Sequence, residues 1–103
     1  MKELINIFSK KSMSDLTRQE LGALSMDLKR AALGYFRNSN ITAERFMSEA
    51  VTRKNKIETK NLKPYLSMYL EKVSSLPRVK DKSKVAEDAL MYSTIFQNAA
   101  IFK

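Results

Sequence analysis

The chain has 103 residues and carries 19 Lys and Arg against 11 Asp and Glu, a formal net charge of +8. That length supports one domain spanning residues 1–103 and leaves too little chain for two independent cores. The absence of both Cys and His excludes disulfides, thiolate nucleophiles, imidazole metal sites and Ser-His-Asp triads.

The opening segment Met1–Lys11 holds Leu4, Ile5, Ile7 and Phe8 between nearby charges. It reads as a short helix. Its apolar run is too brief for a secretory signal, and nowhere is there the run of about 18 apolar residues that a membrane span needs. The expected setting is the cytoplasm, with no membrane contact.

A helix is expected from about Arg18 to Arg37. Thr17 and Glu20 have the spacing of a capping box, and Leu16 and Leu21 that of a hydrophobic staple. Leu21, Leu24, Leu28, Ala31 and Tyr35 then recur every three or four residues and form the inner stripe. Gly22 and Gly34 both fall inside this helix, each costing about 1 kcal/mol relative to Ala. A closely approaching neighbour would explain Gly22, whereas Gly34 reads as a loosening of the last turn.

Asn38-Ser39-Asn40 reads as a loop, and a second helix follows from near Thr42, with Ile41 and Phe46 as its staple. Ala43, Phe46, Met47, Ala50 and Val51 form its inner face, and the pattern fades between Lys54 and Ile57. Pro64 opens a third helix, where its missing amide costs nothing. Leu62, Leu66, Tyr69, Val73 and Leu76 mark its seam, and Pro77 ends it. After a basic linker, Asp81 or Ser83 caps a last helix carrying Val85, Ala89, Tyr92, Phe96, Ala99 and Phe102. The fold class is therefore all-α, an antiparallel four-helix bundle with a short extra N-terminal helix.

Within Leu28–Val51, Leu33-Gly34-Tyr35 and then Ala43, Phe46, Ala50 and Val51 are spaced as a small residue, an aromatic and the second helix of a repeat unit. This pair resembles a tetratricopeptide hairpin over about a quarter of the chain, one residue short at the turn. No second copy follows at the period of about 34 residues, so the resemblance implies hairpin geometry alone.

The charge is strongly segregated. Residues 53–84 hold ten basic and three acidic side chains, a net +7, which leaves +1 for the rest. Such a concentration attracts polyanions. Arg53, Lys54, Lys56, Lys60 and Lys63 close the second helix and its loop, where the helix dipole favours cations. Arg78, Lys80, Lys82 and Lys84 open the last helix, where it does not, so a ligand is the better explanation for this group. In an antiparallel bundle the two clusters lie at opposite poles, about 16–20 Å apart.

These nine residues are the expected polyanion-binding site of a non-enzymatic subunit or adaptor. The alternative is non-specific DNA or RNA binding through phosphate contacts. Tyr65 and Tyr69 have the chemistry to stack on bases, but their spacing beside Leu66 and Leu70 places them at the core or its edge. Six Met and nine aromatic residues, among them Phe8, Phe36, Met47, Met68, Met91 and Phe102, exceed what one small core absorbs. A protein partner or homodimer is therefore expected, with Phe96, Ile101 and Phe102 at an interface. No cofactor, metal or small-molecule substrate is expected. Glu87 and Asp88 diverge on a helix, and Glu44 and Glu49 do not share a face.

Overall fold

A computed structural model describes residues 13–101, which form four α-helices and no strand. They are α1 (Asp15–Phe36), α2 (Asn40–Lys56), α3 (Pro64–Ser75) and α4 (Lys82–Ile101), with a 3-10 turn at Leu76–Arg78. The fold is all-α. The helix expected in Met1–Lys11 lies outside the described residues.

The first helix starts earlier than the capping-box reading places it. Ser14 is the N-cap: its hydroxyl accepts the Thr17 amide at 3.0 Å and donates to the Thr17 hydroxyl at 2.9 Å. Asp15 then sits in the first turn, where a carboxylate favours the dipole, and takes Arg18 at 2.7 Å. Glu20 turns toward α2 instead of back to Thr17, and Leu16, the expected staple, is 68% exposed. The serine wins because it offers the same side-chain acceptor three residues before Thr17, adding a turn of helix.

At the far end, Asn38 adopts a left-handed φ of 60°, the Ser39 amide reaches Gly34 O at 2.8 Å and the Asn38 amide reaches Tyr35 O at 3.1 Å. That pair of bonds is a Schellman closure, and Asn tolerates the required backbone conformation better than most residues. α2 follows after the three residues Arg37–Ser39. Its expected staple is absent: Ile41 is 87% exposed. Pro64 stands in the first turn of α3, and Pro77 lies in the 3-10 turn that succeeds it. Asp81 caps α4, its carboxylate accepting the Ser83 and Lys84 amides at 3.0 and 3.3 Å.

α1 packs most extensively against α4 and next against α2, while α3 contacts α2 and α4. The buried set includes Leu21, Leu24, Leu28, Met47, Leu66, Leu70, Val73, Val85 and Phe96. Phe96 has 0% exposure, which removes it from any surface interface; its place at the middle of the α4 stripe turns it fully inward. Ile101 is exposed, and Phe102 lies outside the described residues. A buried hydrogen bond from the Ser93 hydroxyl to Ser25 O, 2.7 Å long, joins α4 to α1.

The glycines reverse their expected roles. A Cβ on Gly22 meets Ala100 Cβ at an ordinary 3.7 Å, whereas one on Gly34 falls 2.9 Å from both Cα and Cβ of Ala43. Gly34 is the close-approach residue, because there α2 has just folded back and its backbone has no room to retreat.

Gly34→Ala is therefore expected to destabilise the chain by about 1–3 kcal/mol through overpacking. Gly22→Ala is expected to stabilise it by about 0.5–1 kcal/mol through the better helix propensity of Ala. Urea denaturation of the two variants beside the parent checks the opposite signs.

Candidate polyanion-binding surface

The nine basic residues divide into two classes. Arg53 lies on the inner edge of α2 and points at α1, where its Nε donates to Asp27 Oδ2 at 2.9 Å and Nη1 stands 3.5 Å from Glu20 Oε2. Asp27 is buried, its side chain 5% exposed, and Arg30 Nη1 approaches its other oxygen at 3.7 Å. A buried carboxylate keeps its charge only when such partners replace water. The hydrogen bond to Asp27 accordingly holds the Arg53 guanidinium above its ordinary pKa, with the nearby charges of Asp27 and Glu20 adding to it.

Lys54 also works internally. It is largely covered and joins α2 to α3 through Glu71 at 3.2 Å. Lys82 donates to Val79 O at 3.2 Å and places its ammonium 5.8 Å from the Tyr35 ring centre. Lys84 pairs with Asp88 at 3.2 Å, one helical turn along α4. Four of the nine expected site residues are thus engaged by the protein itself.

Lys56, Lys60, Lys63, Arg78 and Lys80 form the other class. All five are exposed and make no ion pair among the described residues. Lys56, Lys60 and Lys63 occupy the end of α2 and the loop before α3, where Asn61 at φ 71° bends the chain. Lys56 shares a groove of about 420 Å³ with Glu20, Glu49 and Arg53, so its side of the cluster is electrostatically mixed. Arg78 and Lys80 flank the turn before α4, separated from the first group by the twelve residues of α3. At 1.5 Å per residue α3 is about 18 Å long.

Arg37 was missed by the sequence reading and belongs near the second group. It is exposed and lies two residues after Tyr35, whose ring stands beside Lys82. Its only sequence signal is a lone cation at the end of a helix.

The aromatic residues divide in the same way. Tyr69 is half-buried, its ring centre 5.4 Å from that of Tyr92, so it belongs to the edge of the core, while Tyr65 is exposed. Arg30 and Arg45 lie 5.6 and 5.8 Å from the Phe46 ring centre and cover it with their guanidinium groups. Met47 is buried, whereas Phe36, Met68 and Met91 stay exposed. No helix among the described residues is long and apolar enough to cross a membrane, and none of them forms a group of acidic side chains suited to hold a metal ion.

Compared with models of protein families, with curated proteins and with solved structures, the chain matches none.

Removing Arg53 strands the Asp27 carboxylate, leaving it the more distant Arg30. Arg53→Ala is expected to cost about 2–3 kcal/mol, toward the low side of the range for a broken buried pair because the guanidinium is partly exposed. Lys60→Ala is expected to stay within about 0.5 kcal/mol of the parent. Thermal and urea unfolding of both variants measures the contrast.

Proposed function

We propose that the chain is a non-enzymatic basic helical module, a subunit or adaptor of a larger assembly, that docks a polyanionic partner. The observation that carries this reading is the sorting of its cations. Arg53, Lys54 and Lys84 are paired with the protein's own carboxylates. Lys56, Lys60, Lys63, Arg78 and Lys80 remain exposed without one among the described residues. The docking surface thus contracts from nine residues to these five, joined by Arg37.

The reading takes the helices as an antiparallel four-helix bundle. In its support, each helix contacts its neighbour in chain order and α4 returns to α1. Across its long axis the molecule measures 19 × 18 Å, the width of two helices by two at spacings of about 8–10 Å. The two groups of free cations then occupy opposite poles.

Nucleic acid is the second reading, favoured by the separation of the groups. About 18 Å corresponds to roughly five steps of a duplex at 3.4 Å each. Contacts of this kind fix affinity and register without reading bases. An acidic protein surface meets the same charges without that periodic requirement.

Fluorescence anisotropy with random-sequence duplex DNA, single-stranded RNA and polyglutamate, titrated with salt, separates these cases. Six phosphate contacts, Arg37 included, predict a log–log salt dependence of slope about −5.4 on duplex DNA. Converting Lys56, Lys60 and Lys63 to Ala together is expected to reduce its magnitude by about 2.7. Binding to polyglutamate alone assigns an acidic protein partner. Failure to bind any of the three at about 50 mM salt overturns the polyanion reading.

A further inference from the structure

Where the end of α1, the middle of α2, the 3-10 turn and the start of α4 converge, they leave a cleft of about 310 Å³. Neither Lys60 nor Lys63 lines it, and none of the residues that line it belongs to an internal ion pair. We propose that this cleft is a binding site for a small zwitterion with an apolar body, in the size class of a free leucine or phenylalanine.

Shape comes first. The volume lies at the lower bound of small-molecule sites, which are concave, mostly apolar and furnished with a few polar groups. Met47 and Val51 from α2, with Pro77 from the turn, supply apolar lining. All three sit on helical or 3-10 backbone, so the walls exist before any ligand arrives, which limits the ordering cost of binding.

Charge decides the ligand class. Glu44 and Lys82 both line the cleft beside Tyr35, one on α2 and the other on α4. Lys82 is steered there by its hydrogen bond to Val79 O and stands 5.8 Å from the Tyr35 ring centre. Glu44 is close enough to act on the same phenol: burial first, and the Glu44 charge second, push the Tyr35 pKa up. The phenol therefore stays protonated and able to donate.

Opposite charges facing one cleft would ordinarily close on each other. Here Glu44 and Lys82 form no ion pair, either mutually or with any other described residue. A simple anion would satisfy Lys82 and be repelled by Glu44; a simple cation would meet the reverse. A molecule bearing both charges matches both, with its carboxylate toward Lys82 and the Tyr35 hydroxyl, its ammonium toward Glu44, and its side chain against Met47, Val51 and Pro77.

The test is an NMR titration of the full chain, isotopically labelled, with leucine, phenylalanine, N-acetyl-leucine and leucine amide. Leucine and phenylalanine are expected to give saturable shifts centred on Val51 and Tyr35, with Kd below about 1 mM. Blocking either charged end is expected to weaken binding about tenfold, as for loss of a charge-assisted contact. Glu44→Gln changes an exposed side chain that holds no ion pair, so the fold is retained. It is expected to abolish the preference for leucine over N-acetyl-leucine while preserving that over leucine amide. Absence of saturable shifts, equal binding of the blocked compounds, or an unchanged preference in Glu44→Gln overturns the proposal.

Discussion

Gly34 and Ala43 bring the backbones of α1 and α2 together at a separation that leaves no room for one more methyl group. The rest of the hairpin is arranged by that contact. The Schellman closure at Asn38 turns the chain within three residues, and Ala43, Met47 and Ala50 then fall in succession on the buried side of α2. Further along, the same alignment delivers Arg53 to Asp27. Small residues set the distance, and the ion pair fixes the register once that distance is reached. A buried carboxylate in α1 is tolerable only because the guanidinium arrives with the right geometry.

The same economy of charge explains how a strongly basic chain holds together. Its cations are not a uniform coat. Some bind helices to one another, as Lys54 does with Glu71; others screen apolar surface, as Arg30 and Arg45 do over Phe46. Of those left over, Lys56, Lys60, Lys63, Arg78 and Lys80 lie at or beside the two connections that flank α3, while Lys29, Arg37 and Lys72 lie elsewhere. Those segments are short and hold no acidic residue of their own apart from Glu58 and the capping Asp81, so positive charge concentrates where the backbone turns.

The helices and their inner faces were legible because burial follows the helical period. Leu21, Leu24, Leu28, Leu66, Val73 and Val85 were read as inward and are buried. Pro64 and Asp81 were legible for a local reason, since a missing amide and a side-chain acceptor act within a few residues of themselves. Local competition misled the reading at Thr17, where an equivalent cap stood three residues earlier, and the staple expected at Ile41 is not made, its side chain staying 87% exposed. The division of the basic residues was not legible. Arg53 meets a carboxylate 26 positions away and Lys54 one 17 away. A one-dimensional charge count records such side chains as surplus. Phe96 shows the converse: it was assigned to an interface on a surplus of apolar residues, but its place in the helical stripe with Ala89, Tyr92 and Ala99 turns it to the core. The roles of Gly22 and Gly34 likewise depended on where the neighbouring helices pass.

The bridge between Ser93 and Ser25 spans 68 positions of chain. During synthesis, the side of α1 that α4 will cover therefore emerges long before its cover exists. At about 5–20 residues per second the delay is roughly 3–14 s. Through that interval the nascent hairpin presents an uncovered leucine-rich stripe to whatever surrounds the ribosome, so the most extensive helix–helix interface of the fold cannot form until α4 has emerged.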